Sequence, residues 1–162
     1  MAVFVITGVV CLIYQQEQIA AMAGLFFGFV VWSHFKQSSI LLASKHFKAG
    51  NYAQTERLLA EVPNVDRLAR KRRGYYEFMQ GNIALKKEDY EAAETHFQIS
   101  SRFPLGGKND KAFVLIHLAN LALRKKDKVR VLAYIERAKE LAGTDRTKNI
   151  INKIEAEANS LL

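Results

Sequence analysis

Two apolar runs open the chain, and a series of helix-length segments follows. Ala2–Tyr14 is apolar apart from Thr7 and Gly8, Gln15-Gln16-Glu17-Gln18 interrupts, and Ile19–Phe35 is apolar again except for Ser33 and His34. Beyond that point the pattern predicts helices over about 36–49, 53–61, 66–87, 91–101, 110–126, 129–141 and 145–161, the first continuous with the second apolar run. Pro63 and Pro104 stop the helices before them, since proline lacks the amide that would continue the ladder. The last helix is expected to begin at Thr144 or Asp145 after a stop at Gly143. Its Ile150, Ile151, Ile154 and Ala158 make one apolar face, and Lys148, Lys153, Glu155 and Glu157 a polar outer side, as a terminal cover needs. The predicted fold class is all-α.

The segments repeat. Gly81-Asn82-Ile83-Ala84-Leu85-Lys86-Lys87-Glu88-Asp89-Tyr90 realigns with Ala119-Asn120-Leu121-Ala122-Leu123-Arg124-Lys125-Lys126-Asp127-Lys128, a shift of about 38 residues. The same shift backwards gives Ala43-Ser44-Lys45-His46-Phe47-Lys48-Ala49-Gly50-Asn51-Tyr52. A fixed period of this size implies stacked helical hairpins, each burying its apolar face only against a neighbour.

The second unit carries a family resemblance. Gly81 stands where two helices would cross, Tyr90 near the turn, Ala93 and Phe97 four apart on the next helix, and Pro104 beyond it. In these positions the chain resembles the tetratricopeptide repeat family. The first unit keeps Ala43, Gly50, Tyr52 and Leu59 but has Thr55 where alanine is usual. The third keeps Ala119, Ile135 and Ala138 but has Lys128 for the aromatic and Val131 for alanine. The units are also longer than the family's usual 34 or so. The resemblance implies an α-solenoid of three hairpins, 36–73, 74–111 and 112–143, with a capping helix over 144–162.

It also implies a binding groove, because the first helix of each unit lines the concave face in that family. By the period, this face holds Ser44, Asn82 and Asn120 and, one turn on, Lys48, Lys86 and Arg124. The larger residues on that side are Phe47, Tyr75, Phe78, Leu85, Phe113, Ile116 and Leu123. An asparagine amide both donates and accepts, so it can hold the backbone of an extended peptide. The basic ladder beside it favours acidic residues or a terminal carboxylate. The positions that clamp chaperone tails in relatives hold Ile40, Phe113 and Ile116 here, so such tails are not expected as ligands.

Charge separates the front from the body. Glu17 is the one formal charge in residues 1–35. All 24 Lys and Arg and the remaining acids lie from Lys36 onward in a chain of net charge +8. An apolar front on a basic body predicts a membrane anchor (1–35) joined to a repeat domain (36–162). The two runs span roughly 20 and 26 Å as helices, short of a hydrocarbon core of about 30 Å. The expected arrangement is therefore a tight transmembrane hairpin that thins the bilayer. Ala20, Gly24 and Gly28 fall four apart and would let a second helix, or a second copy of the chain, approach closely. Lys36, Lys45 and Lys48 follow the second run, which places the repeat domain in the cytoplasm. A secretory signal fits poorly: the basic n-region is missing, and Ala21-Met22-Ala23 leads into more apolar chain.

The densest basic cluster is Arg67, Arg70, Lys71, Arg72 and Arg73 at the start of the second unit. Its readings are a solvated charge run, contact with anionic lipid, or phosphate contact with nucleic acid, for which no accompanying motif exists. His34, His46, His96 and His117 lack metal-ligand spacing, and Cys11 is the one cysteine. Gly106-Gly107-Lys108 lacks the spacing of a phosphate loop, and no nucleophile elbow occurs. No cofactor, metal or catalytic residue is predicted. The expected role is a membrane-anchored, cytoplasm-facing scaffold that holds a protein or peptide partner. The alternatives are an envelope-facing assembly or chaperone-like factor on a single effective span, and an anionic-lipid or nucleic-acid module acting through 67–73.

Overall fold

The computed structural model describes residues 17–160. They form seven α-helices in chain order: α1 (Glu17–Lys48), α2 (Tyr52–Ala60), α3 (Arg70–Lys86), α4 (Tyr90–Ser101), α5 (Lys108–Arg124), α6 (Lys128–Leu141) and α7 (Asp145–Asn159). No strand occurs among the described residues. Each helix packs on the next in sequence, and α1 with α3 and α5 with α7 also meet. Contacts confined to near neighbours make an α-solenoid.

The hairpins turn for one local reason, used three times at the sequence period. Gly50 (φ 77°), Glu88 (φ 63°) and Lys126 (φ 56°) adopt the left-handed conformation. The following amide then reaches back: Asn51 N donates to His46 O (2.9 Å), Asp89 N to Ala84 O (3.0 Å) and Asp127 N to Ala122 O (3.0 Å). That closure ends the first helix of each hairpin. The side chain of the same residue starts the second. It accepts from the amide of Gln54 at 3.1 Å, Ala92 at 3.0 Å and Arg130 at 3.1 Å, satisfying a donor the helix leaves open. One Asn or Asp thus ends one helix with its backbone and opens the next with its carbonyl or carboxylate.

Helix crossing follows the same register. Ala43, Gly81 and Ala119 are buried opposite Leu59, Phe97 and Ile135, which are also fully buried. Sizes compensate across the pair. A Cβ at Gly81 would lie 2.9 Å from the Phe97 ring, so the largest partner sits against the smallest crossing residue. Thr55, Ala93 and Val131 are each 0% exposed. Thr55 meets burial by donating its hydroxyl to Asn51 O at 2.7 Å, so the departure from alanine is absorbed locally.

Three apolar clusters run along the array. Ile40, Ala43, Leu58, Leu59, Met79 and Ile83 join α1, α2 and α3. Ala84, Ala93, Phe97, Val114, Leu118 and Leu121 join α3, α4 and α5. The third joins α5 and α6 to α7 through Ile151, Ile154 and Ala158. Thr144 is the cap of α7, its hydroxyl accepting from Thr147 N at 3.4 Å.

The chain departs from the sequence expectation between α2 and α3. The helix expected over 66–87 is broken. Val65–Arg67 form a 3-10 turn, Leu68 and Ala69 are extended, and α3 begins at Arg70. Asn64 causes the break: its Oδ1 accepts from Asp66 N (3.0 Å) and Arg67 N (3.3 Å), which closes a tight turn in place of a helix start.

Helix α1 is one uninterrupted rod of 32 residues, about 48 Å long. Toward its N-terminus Met22, Leu25, Phe26 and Phe29 are 60–76% exposed, so no described residue covers them. The first apolar run, Ala2–Tyr14, lies outside the described residues. Among the described residues no helix is long and apolar enough to cross a membrane.

Candidate functional site

The basic ladder is built into the joints between units. Lys86 Nζ sits 4.3 Å from the centre of the Tyr52 ring, and the Arg124 guanidinium 3.8 Å from that of Tyr90. Each cation therefore stacks on the tyrosine that opens the preceding unit's second helix, a contact worth about 0.5–1 kcal/mol at an exposed site. The next residue adds an ion pair at the same period: Lys87 with Glu56 at 2.5 Å, Lys125 with Glu94 at 2.6 Å. Arg130 also binds Glu94. The Lys125 hydrogen bond, with further help from Arg130, holds the Glu94 carboxyl below its ordinary range against the opposing effect of burial. Arg130 is pushed up by its Tyr134 hydrogen bond and then by Glu94. Lys48 stands at the same register in the first unit, is exposed, and has no ion pair with a described residue.

The polar rail is mixed. Ser44 is half-buried and Asn120 exposed. Asn82 is half-buried, and its Nδ2 donates to Phe78 O in its own helix at 2.8 Å, leaving the amide oxygen for another partner. Ile40 and Ile116 are buried core residues. Beneath the rail runs an aromatic line: Phe47 meets Phe78 edge-on at 5.8 Å, and His117 stacks on Phe97 at 4.7 Å with the rings 6° apart. Burial pushes the His117 imidazole down to about 4, so it is neutral at physiological pH.

The basic cluster divides. Arg67 belongs to the 3-10 turn and does not share a helical face with Arg70 and Lys71. Arg73 is turned inward: it binds Asp66 at 2.8 Å, and its Nε lies 2.8 Å from Glu77 Oε1, close enough for an ion pair but off the line of the N–H. Glu77 is 2% exposed and also meets His96 Nδ1 at 2.6 Å. Spacing alone would suggest Arg73 with Glu77, four apart on one helix, but His96 sits on α4 and gives no sequence signal of that contact.

Arg72 and Lys71 line a pocket of about 440 Å³ between α1 and the start of α3. Ser44, Lys48, Ile40 and Leu41 form its α1 wall; Ala69, Tyr75 and Gly106 complete it. The pocket thus gathers members of two separately predicted sets, the ladder and the basic cluster. Arg72 Nη1 is shut away from solvent with no hydrogen-bond partner. Tyr75 donates to Asp110 Oδ2 at 2.6 Å; burial and this carboxylate push the phenol up to about 12. A Cβ at Gly106 would come within 2.1 Å of the Tyr75 hydroxyl, so a side chain there would displace the Tyr75–Asp110 pair. Tyr75 was legible only as a groove aromatic; its bond to Asp110 crosses two units.

Gly24 and Gly28 face open space, with no described atom within 4 Å of a Cβ built on either. No group of three or more His, Cys, Asp or Glu that could hold a metal occurs among the described residues. No protein-family model, curated protein or solved structure matches the chain.

Proposed function

We propose that the chain is a membrane-anchored tetratricopeptide-like scaffold whose repeat domain faces the cytoplasm and holds an acidic protein segment along its first-helix face. The observation that carries this reading is α1 itself. One helix supplies the first-unit residues Ile40, Ala43, Ser44 and Lys48 and continues without interruption into the uncovered Met22, Leu25, Phe26 and Phe29. Its apolar stretch alone is short for a bilayer of about 30 Å, so pairing with the Ala2–Tyr14 run is part of the proposal. The rigid joints between units keep the exposed Asn120, the half-buried Asn82 and Ser44, and the cations beside them at fixed spacing. Such a surface suits an extended, negatively charged chain better than a compact ligand.

Two measurements test this in cells. With Cys11 changed to Ser and Lys108 to Cys, a membrane-impermeant thiol reagent should label the chain only after lysis. Labelling of intact cells would move the repeat domain to the envelope side. A photocrosslinker at Asn120 should trap a partner through an acidic segment, with the trap weakened by Lys48→Glu. A crosslink indifferent to that charge reversal would remove the acidic-segment reading.

A further inference from the structure

We propose that the pocket between α1 and the start of α3 binds the phosphate group of an anionic lipid. This rests on the membrane reading above and adds a specific ligand site to it.

Four observations converge. First, α3 breaks the usual electrostatic rule for a helix start. Its first turn is Arg70-Lys71-Arg72-Arg73 with no acid, although a helix N-terminus carries positive potential and favours anions. Second, the cap position is Ala69, which supplies no side-chain acceptor to the open amides there. The turns before α2, α4 and α6 all supply one, as does Thr144 before α7, whereas Gly107 before α5 does not. Third, Arg72 is half-buried and lines the same cavity, so its guanidinium adds a charge-assisted donor on the α3 side. Fourth, Lys48 brings another cation from α1 to the same cavity. Of the four cations in the first turn of α3, only Arg73 is ion-paired with described residues, Asp66 and Glu77. A phosphate meets all of these demands together: negative charge, several acceptor oxygens, and a size that the cavity admits.

The surroundings select a lipid as the source of the phosphate. Leu41, 65% exposed, is part of the pocket wall, and Leu42 beside it is 45% exposed. An apolar lip next to a cationic cavity matches a molecule with an acyl chain attached to a phosphate. If Ile19–Phe35 lies in the bilayer, Leu41 stands about 9 Å beyond its end along the helix, just outside a headgroup layer roughly 5–8 Å thick.

The test uses the full chain in neutral detergent, titrated calorimetrically with dihexanoyl phosphatidic acid, dihexanoyl phosphatidylcholine and inorganic phosphate. Saturable binding of phosphatidic acid is expected, with phosphatidylcholine and inorganic phosphate each at least tenfold weaker. Arg72→Ser, Lys71→Ser and Lys48→Ser should each lose at least tenfold in affinity. Arg70→Ser, on the same turn but outside the pocket, should change it by less than twofold. Equal losses in Arg70→Ser and Lys71→Ser would replace the pocket with a diffuse charge effect. Inorganic phosphate binding as tightly as the lipid would overturn the lipid source, and no saturable binding would overturn the site. Lys71 is exposed, so its variant decides the matter if Arg72→Ser loses its helical circular dichroism. Alkaline carbonate extraction of native membranes separates this from the anchor. An extracted chain that still binds the lipid keeps the pocket and loses the anchor; a retained chain that does not bind does the reverse.

Discussion

The two sides of the array are built on different principles. On one side lie the turns within hairpins, at Gly50-Asn51, Glu88-Asp89 and Lys126-Asp127, and they share the same backbone hydrogen bonds and the same side-chain cap. On the other lie the links between hairpins, which share no common build. The α2–α3 link holds a 3-10 turn and an uncapped helix start. The α4–α5 link has Gly107 at the cap position and is also without a side-chain cap but holds no 3-10 turn, and the α6–α7 link uses Thr144. Regular turns repeat a stable solution, whereas the irregular side carries the anomalies of charge and satisfaction that mark a site.

Gly74→Ala should produce the largest effect, about 3 kcal/mol of destabilisation in urea unfolding. Its Cβ would meet Pro104 O at 2.9 Å, a backbone atom of the irregular side that cannot step aside. Gly81→Ala should cost less, about 2 kcal/mol, because its nearest neighbours are atoms of the Phe97 ring, and Phe97→Leu should restore part of the loss. Additive losses in the double variant would show that the crossing does not depend on matched sizes.

Next comes pH. The folded His117 pKa of about 4 lies below its ordinary value of 6.5, so the unfolded chain binds the extra proton first as pH falls. The stability held by the neutral imidazole is complete above about 6.5 and is lost down to about 4, on the order of 3 kcal/mol. His117→Phe should flatten that slope while leaving stability at pH 7.5 nearly unchanged. Glu94 acts lower down. Its depressed pKa makes its contribution present above the unfolded carboxylate value and lost as pH falls through the folded one, and Glu94→Gln should remove that acid-limb component.

The caps give a sharper test of equivalence. Asn51→Ala, Asp89→Ala and Asp127→Ala should each cost about 1 kcal/mol, read from chemical denaturation. A threefold spread among them would break the claim that the three turns are one device. The smallest effect is a gain. Glu88→Gly and Lys126→Gly should each stabilise by about 0.5–1 kcal/mol, since the left-handed conformation is strained for both residues and natural for glycine, as at Gly50. Gly50→Ala should move the other way.

The regular side was the legible one. The 38-residue shift and the family resemblance single out Ala43, Leu59, Gly81, Phe97, Ala119 and Ile135, and all are buried. The helix ends expected near 49, 87 and 126 fall within two residues of those observed at Lys48, Lys86 and Arg124. The misreading at 66–69 has a physical cause: Asn64 is a strong local acceptor, and helical periodicity takes no account of side chains that bond to nearby amides. The groove was harder. Spacing put Lys86 and Arg124 at equivalent positions of successive first helices, but their use as stacking partners depends on Tyr52 and Tyr90, about 34 residues earlier, and long side chains choose partners across units. The pocket escaped altogether, because it forms only when Lys48 and Arg72, from different hairpins, come together.

Lys48 shows what being first in a series entails. Every later unit spends the equivalent cation on its predecessor, Lys86 on Tyr52 and Arg124 on Tyr90. No unit precedes the first among the described residues, so its cation has no tyrosine there to serve. A stacked array has a boundary at its front, and the interaction left over at that boundary is a resource that interior units lack. Here it falls beside the helix that leads to the apolar front. Grafting another hairpin ahead of α1 would turn Lys48 into an ordinary joint, and the chain would gain a repeat while losing a specialised end.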